Sequence, residues 1–248
     1  MGRRVVRLAA ADSRFVLCGA LERGGAAGDA GEQAGTGRLG VALSSDPAQA
    51  LSGAQVAVAF SAPPACADLA SVCAQHKVAY LVASTGLSDE DRAALKNAAQ
   101  RIAVLEAANL SIAVNVLSEL VETAAARLGQ RFDIEIQELH HRHKRDAPSG
   151  TALLLADSAG RGRSGLRNVA GRAGTRGARD EDELGISALR GGDVAGEHTV
   201  YFLSDGERLE LSHRANSPDI FAVGALTAAH WLTRQGPGLF SMRQVLRR

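Results

Sequence analysis

Cysteine is scarce in this chain of 248 residues: Cys18, Cys66 and Cys73 are all there is. An odd, sparse set is no disulfide framework and points to a reducing compartment, hence the cytoplasm. Cys66 and Cys73 stand seven apart in an expected helix, on one face, and read as small buried apolar residues. A charge excess is lacking too, with Lys+Arg at 28, Asp+Glu at 27 and a formal net charge of +1. That balance excludes a polyanion binder working through bulk charge, so any anion site is local. The Arg-rich stretch at 160–180 is offset by the acids at 180–183, which argues against nucleic acid. No apolar run approaches the roughly 18–20 residues of a membrane span, and the longest, around Val56–Phe60, is short. The opening MGRRVVRLAAADS has the outline of a secretory leader, but Arg7, Asp12 and Arg14 interrupt its apolar part. Core-forming residues are present in quantity: the 46% hydrophobic fraction excludes disorder throughout.

Periodicity predicts alternating elements in the first half. A helix is expected near 2–12, a strand at 15–21, a Gly/Ala-rich loop at 24–40 and a short helix at 46–52. A buried strand follows at 55–60, and Pro63–Pro64 open a helix reaching about His76. A strand at 78–82 precedes a helix that Ser88 caps, with Asp91 three residues on, running to about Gln100. Residues 102–105 form another strand. Strands separated by helices of this length mean βαβ units and a parallel sheet, an α/β architecture of nucleotide-binding type. The character then changes. An amphipathic helix is expected at 111–128 and a strand at 132–139, where Phe132, Ile134 and Ile136 alternate with polar residues. Residues 160–183 lack periodicity and read as a mobile surface loop. Strands at 185–189, 198–204 and 207–213 are spaced like an antiparallel meander, and a last helix spans about 219–233. The expectation is two domains, one of residues 1–110 with 219–248 and a mixed α+β one of residues 111–218.

The densest chemistry is E-L-H-H-R-H-K-R-D-A-P-S-G-T-A at 138–152, where three histidines, two arginines and a lysine lie within six residues after a strand. A basic strand end can be a solvated loop. Three histidines also suggest zinc, but no cysteine lies near and His-His-x-His is not a common ligand spacing, so no metal is expected. The remaining reading is an anion-handling catalytic site. In an extended segment His140, Arg142 and Lys144 point one way, and His141 and His143 the other. Pro148 sits near the first turn of a following helix, whose N–H groups at Gly150 and Thr151 suit a carboxylate beside the cationic side chains. Histidine and lysine move protons near neutral pH.

H-H-R-H-K-x-D-A-P-S-G-T-A resembles the signature of the dihydrodipicolinate reductase family. The resemblance extends to G-A-L-E-R at 19–23, F-S-A-P-P at 60–64, S-T-G-L-S at 84–88, A-A-N-L-S at 107–111, L-R-G-G-D-V-A-G-E-H-T-V at 189–200, G-E-R-L-E-L-S-H-R-A at 206–215 and G-L-F-S-M-R-Q-V-L at 238–246. It implies a Rossmann-like parallel-sheet domain, an α+β substrate and oligomerisation domain, a homotetramer, and reduction of a cyclic unsaturated dicarboxylate by NADH or NADPH in the diaminopimelate and lysine pathway. Carried over, it makes His140 the acid/base and Lys144 the proton donor, with His141, Gly150 and Thr151 holding the substrate carboxylates. Arg142 and His143 support the site or touch substrate. Glu22 then serves the adenosine ribose and Arg23 a 2′-phosphate. Ala83, Ser84 and Thr85 match a Gly-Thr-Thr turn near the nicotinamide; Ala107, Ala108, Asn109 and Leu110 match a second cofactor turn, and Phe60 lines the pocket.

The chain departs from that pattern at its start. Met1-Gly2-Arg3-Arg4 matches only the end of a G-x-x-G-R-M-G-R turn, so the first strand and the phosphate-cradling glycines are missing. The loss of a central strand leaves an unpaired slot between its neighbours. The expectation is a true start upstream by roughly a dozen residues, the length of a strand and its turn. The alternative is a degenerate paralogue that binds dicarboxylate or assembles without cofactor. Ala83 and Ala113 replace family glycines, and Pro218 stands where the family has arginine.

Overall fold

Capping residues decide where the helices begin. A computed structural model describes residues 1–24, 27–175 and 177–247. The chain passes through α1 (Gly2–Ala10), β1 (Ala20–Leu21), α2 (Ala30–Ala34), β2 (Leu43–Ser44), α3 (Pro47–Ala50), β3 (Val56–Ala59), α4 (Pro63–His76), β4 (Ala79–Val82), α5 (Asp89–Ala98) and β5 (Ala103–Glu106). It continues through α6 (Ile112–Leu128), β6 (Asp133–His140), α7 (Gly150–Gly162), β7 (Arg167–Ala170), β8 (Glu183–Arg190), β9 (Gly196–Ser204), β10 (Glu207–Ala215), α8 (Asp219–Leu232), β11 (Gly238–Phe240) and α9 (Met242–Leu246). Ser88 and Asp91 close the capping box that opens α5. Ser111 and Ser149 cap α6 and α7 by accepting the N–H of Val114 and of Ala152, which satisfies donors a helix start leaves without partners.

Two compact units result, Met1–Leu110 with Asp219–Arg248, and Ser111–Pro218. The first is built on a parallel sheet of order β11-β5-β4-β3. One face buries Tyr80, Val82 and Val104 against Cys66 and Cys73 of α4 and Leu95 of α5. The other buries Leu81 and Leu105 against Ala225, Ala229 and Leu232 of α8 and Met242 of α9. Both faces are covered, so these strands are apolar throughout rather than alternating. Strands β1 and β2 form a parallel pair of their own, and β3 is an edge of the four-stranded sheet. Val56 and Val58 of β3 are half-buried, whereas every residue of β4 is buried.

The second unit carries a mixed sheet of order β10-β9-β6-β8-β7. Central β6 pairs antiparallel with β9 and parallel with β8. Its inward residues Ile134 and Ile136 join Val200 and Phe202 in a core with Leu117 and Val121 of α6 and Leu155 and Ala159 of α7. The whole is an α/β protein with a Rossmann-like parallel sheet and a separate mixed-sheet unit.

Four expectations are corrected. The strand expected at 15–21 is reduced to Ala20–Leu21, and Val16 is 89% exposed. The Phe15 N–H turns back to the carbonyl of Asp12, and Arg14 pairs with the Asp12 carboxylate, so an apolar run begins inside a turn. The expected loop at 24–40 contains α2, because the Asp29 carboxylate gathers the N–H groups of Gly31, Glu32, Leu39 and Val41. The segment at 160–183 is not a structureless loop: α7 runs to Gly162 and β7 pairs with β8, its residues exposed or half-buried, which leaves no apolar period to read. Its arginines tie it down. Arg163 donates to the carbonyls of Gly129 and Phe132, and Arg179 to Asp133, Glu135 and the carbonyl of Ile134. Residues 25 and 26 of the first loop and 176 of the second lie outside the described residues. Finally, the strands after 185 are no meander, since β6 intervenes between β8 and β9 and runs parallel to β8. Strand β11 and helix α9 extend the tail beyond what periodicity predicts.

Candidate active site

Strand alternation puts Ile134, Ile136, Glu138 and His140 on the inward side of β6. Two apolar residues bury the strand; the two polar ones that follow are carried inward by the same period. Glu138 is fully buried and His140 is 8% exposed. Glu138 Oε2 lies 2.6 Å from His140 Nδ1. Arg190, at the end of β8, grips the same carboxylate with two N–H groups, Nη1 to Oε2 at 2.7 Å and Nη2 to Oε1 at 2.8 Å. Oε1 also accepts the N–H of Ser149 at 3.0 Å. Ser149 Oγ meets His198 Nε2 at 3.0 Å, and the His198 ring stands edge-on to His140 with centroids 5.1 Å apart.

The strand stops at His140, so the alternation expected through Lys144 does not continue. A turn follows instead, held by His141 N–H to the carbonyl of Val194, Arg142 N–H to Gly192 and Lys144 N–H to His141. Lys144 is half-buried, and its Nζ rests on Asp146 at 2.9 Å. His141 is half-buried, whereas Arg142 and His143 are exposed. Helix α7 then begins at Gly150 with Ser149 as its cap, so Pro148 lies outside the helix rather than in its first turn. Gly150 and Thr151, both half-buried, are the first two residues of the helix. Their N–H groups stand at the positive end of the helix dipole, in the turn where anions are favoured.

Burial pushes the His140 imidazole below its usual range, helped by the charges of Lys144 and Arg190 and opposed by the Glu138 carboxylate. Burial alone would raise Glu138, but the hydrogen bonds from Arg190, His140 and the Ser149 N–H outweigh it and hold the carboxyl below its ordinary value. His198 is driven down to about 3 by burial and then by His140, so it stays neutral at physiological pH. The result is an ionised carboxylate beside a neutral imidazole, bordered by a lysine and a helix start. Such a site can hold an anion and exchange protons.

In the first unit the remaining expected residues fall just past the carboxyl ends of strands, where open parallel sheets bind ligands. Phe60 follows β3 and is half-buried against the core. The turn Ala83–Thr85 follows β4, with Ala83 N–H on the carbonyl of Ala59 and Thr85 exposed. The Ser84 hydroxyl faces inward, donating to the carbonyl of Ser61 at 2.6 Å and meeting Cys66 Sγ at 3.0 Å. It shapes the turn rather than presenting a donor outward. The turn Ala107–Leu110 follows β5; Ala107 and Leu110 are core residues, Ala108 is exposed and Asn109 half-buried. Glu22 and Arg23 are exposed beyond β1, with the Glu22 N–H on the carbonyl of Ser44.

Residues 1–110 match the family model of the dihydrodipicolinate reductase N-terminus, and residues 113–246 that of its C-terminus. The chain belongs to the dihydrodipicolinate reductase family. The 4-hydroxy-tetrahydrodipicolinate reductase of Anaeromyxobacter sp. (strain Fw109-5) is 48% identical over 250 residues, 99% of this chain and 93% of that one. The enzyme of the same name from Methylocella silvestris is 44% identical over 252 residues, again 99% and 93% of the two chains. Among solved structures, the dipicolinate-bound dihydrodipicolinate reductase from Paenisporosarcina sp. TG-14 superposes with a TM-score of 0.77 at 21% identity, covering 97% of this chain and 92% of that one. That likeness is one of fold.

Within the family motif, the residues around His140 that sequence reasoning passes over are Glu138, Ser149, Arg190 and His198. Two had a local signal: Glu138 is two positions before His140 on a strand, and Ser149 precedes a helix as a cap. Arg190 and His198 lie in the family-like stretch at 189–200, but nothing local ties them to this site, because their partners are 52 and 49 residues away in the chain.

Proposed function

We propose that this chain is a pyridine-nucleotide-dependent 4-hydroxy-tetrahydrodipicolinate reductase, acting in the cytoplasm as a homotetramer in diaminopimelate and lysine biosynthesis. One observation carries the reading: in a member of this family, the His140–Glu138 pair lies in one compact unit with Lys144 and with the N-terminal amides of α7. A cyclic dicarboxylate needs both an anion cradle and a proton source, and these residues supply both.

The turns of the first unit fit the nicotinamide and adenosine ends of a dinucleotide. Three adjacent parallel strands end in turns at Phe60, Ala83–Thr85 and Ala107–Leu110, which would hold the nicotinamide end. The Glu22 carboxylate would accept the adenosine ribose hydroxyls, and Arg23 would meet a 2′-phosphate, so NADH and NADPH both find a partner. When bound, the cofactor would supply a hydride to the conjugated C=C–C=N system that forms once the 4-hydroxyl of the substrate has left as water.

The residues of the second unit handle what that chemistry leaves behind. His141, Gly150 and Thr151 hold the two carboxylates, with the helix dipole offsetting their charge. Negative charge gathers at the end of the conjugated system remote from the hydride, and Lys144 donates the proton that neutralises it. His140 acts as acid and base at its free ring nitrogen, its imidazolium form steadied by Glu138. The test is turnover of the 248-residue chain with 4-hydroxy-tetrahydrodipicolinate, followed by loss of reduced-nicotinamide absorbance with each cofactor in turn. Substrate-dependent oxidation of NADH or NADPH is expected; oxidation of neither overturns the reading.

A further inference from the structure

We propose that Glu138 is a positioning residue that decides which nitrogen of His140 meets the substrate: it takes the Nδ1 proton and leaves Nε2 as the ring nitrogen open to proton transfer. This rests on the role given to His140 above and adds a residue that the reaction itself never touches.

A carboxylate only accepts, and Arg190 and a backbone N–H only donate. Oε1 receives Ser149 N–H and Arg190 Nη2; Oε2 receives Arg190 Nη1 and faces His140 Nδ1 at 2.6 Å. An ionised oxygen facing a ring nitrogen at that distance requires the nitrogen to carry the proton. In the neutral imidazole the other nitrogen, Nε2, then holds the lone pair. Gly196 of β9 brings no side chain against that nitrogen: a Cβ there would stand 2.9 Å from Nε2. The groups facing the imidazole are Glu138 on its own strand, Arg190 from β8, Lys144 from the following turn and neutral His198 from β9. Among these described residues Glu138 is the anionic one, so it also sets how readily the ring accepts a second proton.

A carboxylate that merely clasps Arg190 and Ser149 would look similar at rest, and the amide variant separates the two roles. In Glu138→Gln the oxygen stays with Ser149 N–H and Arg190 Nη2, which cannot change from donor to acceptor. The NH₂ takes the other position, where Arg190 Nη1 loses its acceptor and His140 can change tautomer. The ring therefore switches to Nε2–H. The side-chain nitrogen shifts of His140, read by NMR on labelled protein above its titration range, are expected to show Nδ1–H in the parent and Nε2–H in Glu138→Gln. With the switch, kcat is expected to fall by about 100-fold or more, the scale of lost acid–base catalysis. KM for the dicarboxylate should stay within a few-fold, and the histidine limb of the pH–rate profile should move to lower pH. Nε2–H in the parent overturns the proposal without any variant, which covers the case of a variant that does not fold. An unchanged tautomer or an undiminished kcat in Glu138→Gln overturns it as well. The nitrogen shifts need no turnover: a chain that reduces no dicarboxylate but shows Nδ1–H fails as a reductase and still supports the role of Glu138.

Discussion

Glu138 and Arg190 meet through two parallel N–H···O bonds of 2.7 and 2.8 Å, between the neighbouring parallel strands β6 and β8. The carboxylate is wholly buried and the guanidinium mostly so. Arg190 further donates to the carbonyls of Leu189 and Asp146. Arg190→Met removes the fork and leaves a buried anion. The expected cost is about 3–5 kcal/mol, the range for breaking a buried pair from one side. Urea unfolding checks it, and a variant within about 1 kcal/mol of the parent would show that the pair is not holding the strands.

His140→Gln and Lys144→Ala each remove a proton-transfer group without opening the main core. Each is expected to lower kcat by about 100-fold or more, with thermal unfolding near that of the parent. Steady-state kinetics decides, and full activity in both variants contradicts the assigned roles.

Stability should fall in mild acid. His198 titrates near 3 in the folded chain because burial resists its charging, whereas an unfolded histidine titrates near 6.5. Between those values the unfolded state binds the extra proton, so unfolding becomes easier as pH drops from about 6.5 toward 3, by up to roughly 1.4 kcal/mol per unit. His140 and His213, also lowered by burial, add to the same slope. His198→Gln keeps a partner for Ser149 and is expected to flatten the dependence. Denaturant midpoints measured across that window test it, and an identical slope in the variant refutes it.

Glu22→Ala and Arg23→Ala should separate the two cofactors. Loss of the carboxylate weakens NADH; loss of the guanidinium weakens NADPH more than NADH. Each effect is expected to be roughly 10-fold or more, the size of one charge-assisted hydrogen bond. KM values for both cofactors in both variants give the answer, and equal losses in all four would remove these side chains from cofactor choice.

Gly224 of α8 lets the carbonyl of Leu110 approach so closely that an added Cβ would lie 1.7 Å from it. Gly224→Ala must displace the Ala107–Leu110 turn. A cost of about 1–3 kcal/mol is expected, as for other overpacked sites, together with weaker nicotinamide binding. Thermal unfolding and a cofactor titration report the two effects separately.

What could be read from the sequence was what neighbours in the chain decide. The α5 box needs only Ser88 and Asp91, three positions apart, and the apolar runs at β4 and β5 announce strands covered on both faces. Strand β7 was illegible because none of its side chains is fully buried, so no apolar alternation marks it. The place of β6 between β8 and β9 was illegible because pairing between distant strands leaves no local mark. Around the candidate site, His140 and Lys144 advertise themselves by chemistry. Arg190 and His198 look like ordinary strand residues until folding brings them to Glu138 and Ser149.

The carboxylate of Glu138 touches the chain on both sides of the 141–148 turn, at His140 before it and at Ser149 after it. The turn is thus a loop whose two ends share one buckle, with further backbone ties to Val194, Gly192 and Arg190 along its length. The side chains of His141, Arg142 and His143 can be exchanged without touching the contacts that set the separation between the imidazole and the amides of Gly150 and Thr151, because those contacts are made by Glu138 and by backbone groups. Substrate tailoring by way of His141, Arg142 or His143 is therefore mechanically insulated from proton transfer, whereas Lys144, which rides on the strap, is the proton donor whose reach any such change would alter.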